Sequence, residues 1–234
     1  MRKKRNKKNS HFKKSYTKAV AAQTVRQLLL LSKKEIYEHL HNVPPLKISD
    51  KLLYDTVNLQ NSCLNRGTII NECIIPDAYM HTAYLLCTII QMSNNNSIRD
   101  GLIFPALYSF RHYLELTMKD SINRFGNKEL SEIVIERNHN LVEIWEKLSP
   151  FLEDGQEKEI VRNLIGGFNG LDPNGERFRY PYEIDADDKK IPNALPHGLR
   201  GIKELRRTML KIYRYFDGIN FMAYNVEHNN NHNA

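Results

Sequence analysis

The segment from about Ile98 to Arg124 constrains this chain more than any other, because read as a helix it has almost no side that can face water. At about 100° per residue, Ile103, Leu107, Phe110, Leu114 and Met118 fall on one apolar stripe. Tyr113, Leu116 and Thr117 cover another side. A helix of this kind must be surrounded by other elements, and helix signals are what the flanking sequence supplies. No alternation of strands and helices suggests a nucleotide-binding parallel sheet, and no internal repeat is present. The expected class is all-α: a helical bundle with an N-terminal helical extension and a short β-hairpin inserted late in the chain.

The element boundaries follow from caps and breakers. Ala19 to Leu31 is helix-like, Ser32-Lys-Lys-Glu35 is a capping box opening a helix through His41, and Pro44-Pro45 ends it. Ser49 caps a further helix to about Gln60. Asp77, after Pro76, opens the nearly all-round apolar run AYMHTAYLLCTIIQM, which predicts a buried helix. A polar loop from Ser93 to Ser97 precedes the long helix, for which Gly126 is the stop signal. Helices are then expected at Lys128 to Glu136, Leu141 to Leu152 and Glu157 to Ile165, the last stopped by Gly166-Gly167. Asn140-Leu-Val-Glu143 has the form of a capping box. Prolines and glycines make 171–195 irregular, with Asp172-Pro-Asn-Gly as a turn and room for a hairpin. Gly198 to Glu227 is long, amphipathic and proline-free.

The domain plan is therefore a basic arm at 1–18, a helical extension at 19–76, a bundle at 77–227 and a short tail at 228–234. The 234-residue chain is 41% hydrophobic, enough to build a core. The formal charge of +7 is unevenly placed. Residues 1–34 hold 12 Lys and Arg and no acid, leaving 22 basic against 27 acidic residues, about −5, for the remainder. Nine basic residues with little apolar area predict that 1–18 is disordered. Lys3, Lys4, Arg5, Lys7 and Lys8 are its candidate phosphate-binding residues, with simple solvation as the competing role.

Cys63, Cys73 and Cys87 are odd in number and never spaced as CxxC, so neither a disulfide framework nor a zinc site is expected, and a reducing cytoplasm fits. The apolar stretch from Ala83 to Ile90 is far shorter than the ~20 residues that span a bilayer, so no membrane segment is expected. No apolar run follows the charged start, so no secretory signal is expected either. His228 and His232 have the spacing of a helical metal pair but no third ligand. No metal and no cofactor are predicted.

The polar residues of the central helix carry the chemical interest. Tyr108, Arg111, His112, Glu115 and Lys119 share about one third of its circumference. A charged stripe on an otherwise apolar helix must be internally paired or line a cleft, because isolated buried charge is costly. The pairing alternative is an i, i+4 ladder of Arg111 with Glu115 and Glu115 with Lys119. In the cleft alternative, Arg111 binds an anion and His112 exchanges protons near neutral pH, with Glu115 orienting a histidine. His139 is expected to protrude from the loop before Leu141, either capping that helix or completing the site.

A third feature is Leu171-Asp-Pro-Asn-Gly-Glu-Arg-Phe-Arg-Tyr-Pro181. Read as extended, it puts Arg177 and Arg179 on one side and Phe178 and Tyr180 on the other. Two guanidinium groups interleaved with aromatics suit RNA phosphates, or else belong to a loop pinned on the body with solvated arginines. The patterns GxxxxGK[ST], GxGxxG, HExxH and GxSxG are all absent.

Arg111-His-Tyr-Leu-Glu-Leu-Thr-Met-Lys119, followed by His139-Asn-Leu-Val-Glu-Ile-Trp-Glu-Lys-Leu148, resembles the HEPN superfamily of prokaryotic helical domains. Members show an E-hydrophobic-x-x-K helix and then an H-[DN]-L helix start. Phe178-Arg-Tyr-Pro181 also resembles a segment of proteins related to this group. The resemblance covers roughly residues 77–226. It implies a four- or five-helix bundle, commonly a homodimer, in toxin–antitoxin, antiphage or stress systems with an operon-encoded partner protein. Catalytic members are metal-independent ribonucleases whose Arg and His are separated by four to six residues on one helix. Here only Arg5 and His11, in the basic arm, have that spacing. The expected function is RNA binding with metal-independent cleavage by Arg111, His112, Glu115 and His139. The competing expectation is a non-catalytic interaction or dimerisation module serving as an accessory subunit.

Overall fold

The computed structural model describes residues 68–126, 138–184, 189–192 and 201–232, all within one compact unit, Asn65–Ala234. The basic arm, the extension up to residue 67 and the helix expected at Lys128 to Glu136 lie outside the described residues. The described elements are α1 (Thr68–Met92), α2 (Asn96–Arg124), α3 (Leu141–Leu148) with a 3₁₀ turn at Ser149–Phe151, α4 (Gln156–Leu171), β1 (Tyr182–Ile184), β2 (Lys190–Pro192) and α5 (Ile202–His232). The described residues form an all-α bundle with one small antiparallel hairpin among them, Glu183 facing Ile191 across it.

Helix α2 is the centre of the bundle, as its sequence requires. Between Ala106 and Ile122 it buries Phe110, Tyr113, Leu114 and Met118 together with Arg111, Glu115 and Lys119. It packs on α1, α3 and α5. Trp145 of α3 meets Tyr215 and Phe216 of α5, and Tyr113 of α2 meets Tyr213 and Phe216. A polar clasp crosses the same packing: Ser121 Oγ lies 2.8 Å from Asn220 Oδ1, and Asn220 Nδ2 donates to Thr117 Oγ1 at 3.2 Å.

Three elements differ from expectation. Helix α1 does not begin at Asp77 but runs unbroken through Pro76. Pro76 lacks an N–H, which costs a helix bond. It also opens the buried stripe Pro76, Met80, Ala83, Cys87 and Ile90, whose packing holds the helix together. Nor is α1 buried all round: Leu85 is 53% exposed, because its partners α2 and α5 cover one face. Helix α4 ignores its Gly166-Gly167 stop and continues to Leu171. Phe168 explains this, since it packs on Phe110 and Phe178 and can do so only from a continued helix. Likewise α5 extends past Glu227 to His232.

The Asn140 cap is present in part. Its side chain accepts from Val142 N and Glu143 N, but its own N–H goes to Asn138 Oδ1 rather than to Glu143. Ahead of α2, Asn95 accepts from Ser97 N at 2.9 Å. Beyond the end of α2, Gly126 takes φ 88°, the left-handed region that glycine enters without steric cost.

Candidate functional site

Two loops converge on the charged stripe of α2, residues 138–140 before α3 and residues 172–180 after α4. Both reach Arg111, which is 2% exposed. Its Nε donates to the Asp172 carbonyl at 2.9 Å, and Nη2 donates to the His139 carbonyl at 2.5 Å and the Pro173 carbonyl at 3.2 Å. Nη1 donates to Glu115 Oε2 at 3.2 Å. The guanidinium thus fastens two loops to the central helix with four of its five donors. Burial lowers its pKa while Asp172 and Glu115 oppose that shift, and an arginine so paired stays cationic.

Asp172 completes this junction and is fully buried. Its Oδ1 accepts from Glu176 N at 2.8 Å and Arg177 N at 3.0 Å, so it shapes its own turn. Its Oδ2 forms an ion pair with Arg111 Nε at 3.5 Å. Gly175, at φ 75°, lies against the guanidinium: a Cβ there would sit 2.9 Å from Arg111 Nη1. The sequence marked Asp172-Pro-Asn-Gly only as a turn. Its spacing from Arg111, 61 residues, gave no local sign of the contact.

Glu115 is the hinge between the sealed half of the cluster and the open half. Oε2 faces Arg111, while Oε1 accepts from Lys119 Nζ at 2.7 Å and lies 2.9 Å from His139 Nδ1. The i, i+4 ladder is therefore present, with His139 added to it. Burial alone would raise the Glu115 carboxyl. Lys119 and His139 outweigh it and hold the group below the usual carboxylate range. An ionised carboxylate only accepts, so His139 Nδ1 carries the proton and Nε2 is the ring's basic end. The His139 side chain is 61% exposed. A buried anion thus orients an accessible imidazole.

His112 occupies the next position on α2. Its ring stacks on Tyr108 with centroids 5.8 Å apart and planes 9° apart, and meets Tyr79 of α1 edge-on at 4.4 Å. Burial lowers its pKa, Glu115 opposes, and Lys119, Arg111 and His139 add to the lowering. His112 is therefore neutral at pH 7.

Residues 177–179 form a turn instead of an extended segment, because the N–H groups of Arg179 and Tyr180 both donate to the Glu176 carbonyl. The expected alternation is lost: Phe178 is buried on Phe168, whereas Tyr180 is 48% exposed. Arg177 pairs with Glu183 of β1, Nε to Oε1 at 2.9 Å and Nη2 to Oε2 at 3.1 Å. Arg179 lies against aromatic rings, its guanidinium carbon 5.7 Å from the centre of Tyr108 and 5.3 Å from that of Tyr180. Among the described residues, no group of three or more His, Cys, Asp or Glu is placed to hold a metal ion. Among them too, no helix is long and apolar enough to cross a membrane. No family model, no curated protein and no solved structure matches the chain.

Proposed function

We propose that this chain is a HEPN-like domain that binds RNA and cleaves it without a metal, with His139 as the general base. The carrying observation is the His139–Glu115 pair: an exposed imidazole whose Nδ1 is held 2.9 Å from a buried carboxylate, leaving Nε2 for substrate. In the proposed step a ribose 2′-hydroxyl attacks the neighbouring phosphorus while Nε2 takes its proton. The bond from phosphorus to O5′ breaks, O5′ takes a proton from water, and a 2′,3′-cyclic phosphate remains. Glu115 stabilises the imidazolium that forms, and His112, packed against Tyr108 and Tyr79, adjoins it on α2. Arg111 contributes by holding both loops, since its donors are already spent on carbonyls and Glu115. The basic arm, through Lys3, Lys4, Arg5, Lys7 and Lys8, adds salt-dependent affinity for the phosphate backbone. The setting, a cytoplasmic bacterial defence, toxin–antitoxin or stress system with an operon-encoded partner, rests on the resemblance of Arg111–Lys119 and His139–Leu148 to the family.

The test is incubation of the purified chain with mixed RNA in EDTA, beside His139→Ala and His112→Ala variants of unchanged melting temperature. A loss of ~100-fold or more in His139→Ala, with cyclic-phosphate ends in the wild type, is the expected result. Undiminished cleavage by His139→Ala would remove the residue from the site.

A second reading, a homodimerising interaction module, has its own support. A groove of about 910 Å³ runs between α4 and α5, lined by Val161, Ile212 and Ile219 with the more exposed Ile160, Leu164 and Met222. One lip carries Glu153 and Glu157, and the other Lys211 and Arg214. A twofold axis parallel to the groove sets the acidic lip of one copy on the basic lip of the other. Light scattering at micromolar concentration should give a dimer mass that Ile160→Glu halves. A monomeric wild type removes this reading, and absence of RNA cleavage from a dimeric one favours it.

A further inference from the structure

Helix α1 carries no Asp, Glu, Lys or Arg over the fifteen residues from Ala78 to Met92, yet it is not enclosed. Ile74, Leu85 and Met92 are each about half exposed. At 100° per residue they share one stripe, about 27 Å long. The threonine hydroxyls of this stretch are spent within the helix: Thr82 Oγ1 donates to the Ala78 carbonyl and Thr88 Oγ1 to the Tyr84 carbonyl, each at 2.8 Å. A helix that is apolar all round and satisfies its own hydroxyls suits an apolar medium better than water.

Helix α5 lies beside it. His81 meets Tyr213, Cys87 meets Met209 and Thr88 meets Arg206, so the two helices run antiparallel. On α5 the exposed residues Lys203, Arg207, Leu210, Arg214 and Phe221 fall within about 60° of one another. Phe221, at 69%, is the most exposed large apolar residue described. On each helix the open stripe lies about 80–100° past the seam in the direction of increasing residue angle, and the reversed chain direction brings both stripes to the same side. The register of the seam sets Phe221 level with Ile74, Leu210 with Leu85 and Lys203 with Met92. Among the described residues, nothing pairs with Lys203, Arg207 or Arg214. Asp217 stands on the border of this face, near Tyr213, so cations predominate.

The charge decides what this face fits. A second copy of it would bring like charges together, and a purely apolar partner would leave three cations unanswered. Arg206 fills the furrow between the helices, its guanidinium carbon 5.3 Å from the centre of the Tyr84 ring, which leaves a flat face in place of the groove a partner helix takes. Anionic lipid answers both parts, because headgroups supply phosphates at any spacing and the acyl boundary accepts the side chains between them. We propose that α1 and α5 lie flat on an anionic bilayer surface, with Ile74, Leu85 and Phe221 entering the acyl boundary and Lys203, Arg207 and Arg214 on headgroup phosphates. The association is peripheral and independent of the RNA reading.

The test uses the full chain with vesicles of phosphatidylcholine, alone or mixed with phosphatidylglycerol. The basic arm can bind anionic vesicles by itself, so insertion is read from reporters within the face, Leu85→Trp and Phe221→Trp, on vesicles brominated in the acyl chains. Trp145, the one native tryptophan, is 2% exposed and gives the unquenched background. On anionic vesicles the added emission should shift to the blue and be quenched by bromine, while wild-type emission stays unchanged. In co-sedimentation, the variant combining Lys203→Gln, Arg207→Gln and Arg214→Gln should bind about 100-fold more weakly, at about fivefold per cation. Leu85→Glu should lose at least about tenfold. Reporters left unquenched on bound protein assign the binding to the arm and overturn the proposal. A wild type that binds no vesicle, or binds neutral and anionic vesicles equally, overturns it as well. So does a Leu85→Glu chain that binds as the wild type does but loses a dimer mass in light scattering, which makes the face an interface between copies.

Discussion

Replacement of Arg111 by Ala would take from Glu115 one of its two buried cations, leaving Lys119, and remove the ion pair of Asp172, while three backbone carbonyls lose their donor. Breaking a buried pair in this way typically costs about 3–5 kcal/mol, far more than a surface pair contributes. Urea unfolding of Arg111→Ala should show a loss of that size, and a loss below about 1 kcal/mol would mean the junction is not structural. Arg111→Lys should recover little, since one ammonium cannot reach acceptors on both loops and on the helix. Gly175→Ala tests the same junction from the other side. It combines a positive φ with a Cβ 2.9 Å from Nη1, and a cost of about 1–3 kcal/mol is expected in the same assay. The stripe of α2 was legible in the sequence because i, i+4 spacing is local. Asp172 and Gly175 were not, since nothing in a turn motif says which distant side chain its carbonyls will receive.

At the scale of elements, the helices were legible wherever burial and caps agreed. Helix α2 has Gly126 after it and an apolar circumference, so its end and its central place followed from the sequence, whereas it starts at Asn96, two residues before the expected Ile98, because Asn95 caps it. Local signals failed where tertiary packing overruled them. Glycine is a poor helix former by about 0.5–1 kcal/mol relative to Ala, a penalty that burial of Phe168 and Ile165 readily exceeds. Asn169 adds to this, its Oδ1 accepting from Leu141 N at 2.9 Å and so joining α4 to the start of α3. A consequence can be measured: Gly167 is exposed within the helix, and a Cβ there would meet nothing within 4 Å. Gly167→Ala should therefore stabilise the fold by about 0.4–1 kcal/mol. Thermal unfolding checks this, and a lowered melting temperature would mean that the helix is interrupted at that residue in solution.

For the whole molecule, the charged cluster sits where α2, the loop before α3 and the loop after α4 meet, so its protonation bears on the global fold. The histidine and the carboxylate act in the same direction. Burial lowers the His112 pKa below its ordinary value of 6.5, so the unfolded chain takes up this proton first as pH falls. Stability linked to His112 is thus present above 6.5 and declines from there down to its folded value. Glu115 is opposed by burial but held below its ordinary value of 4.5 by Lys119 and His139. Its contribution is present above 4.5 and is lost as pH falls through its folded value. The expected profile is a melting temperature that is flat near pH 7, declines in one step below about 6.5 and falls more steeply below about 4.5. His112→Phe, which keeps a ring against Tyr108 and Tyr79, should remove the first step and leave the second. A first step that survives in His112→Phe would assign it to another group, and a wild-type profile flat from pH 7 to 5 would show that His112 is not desolvated in the native protein.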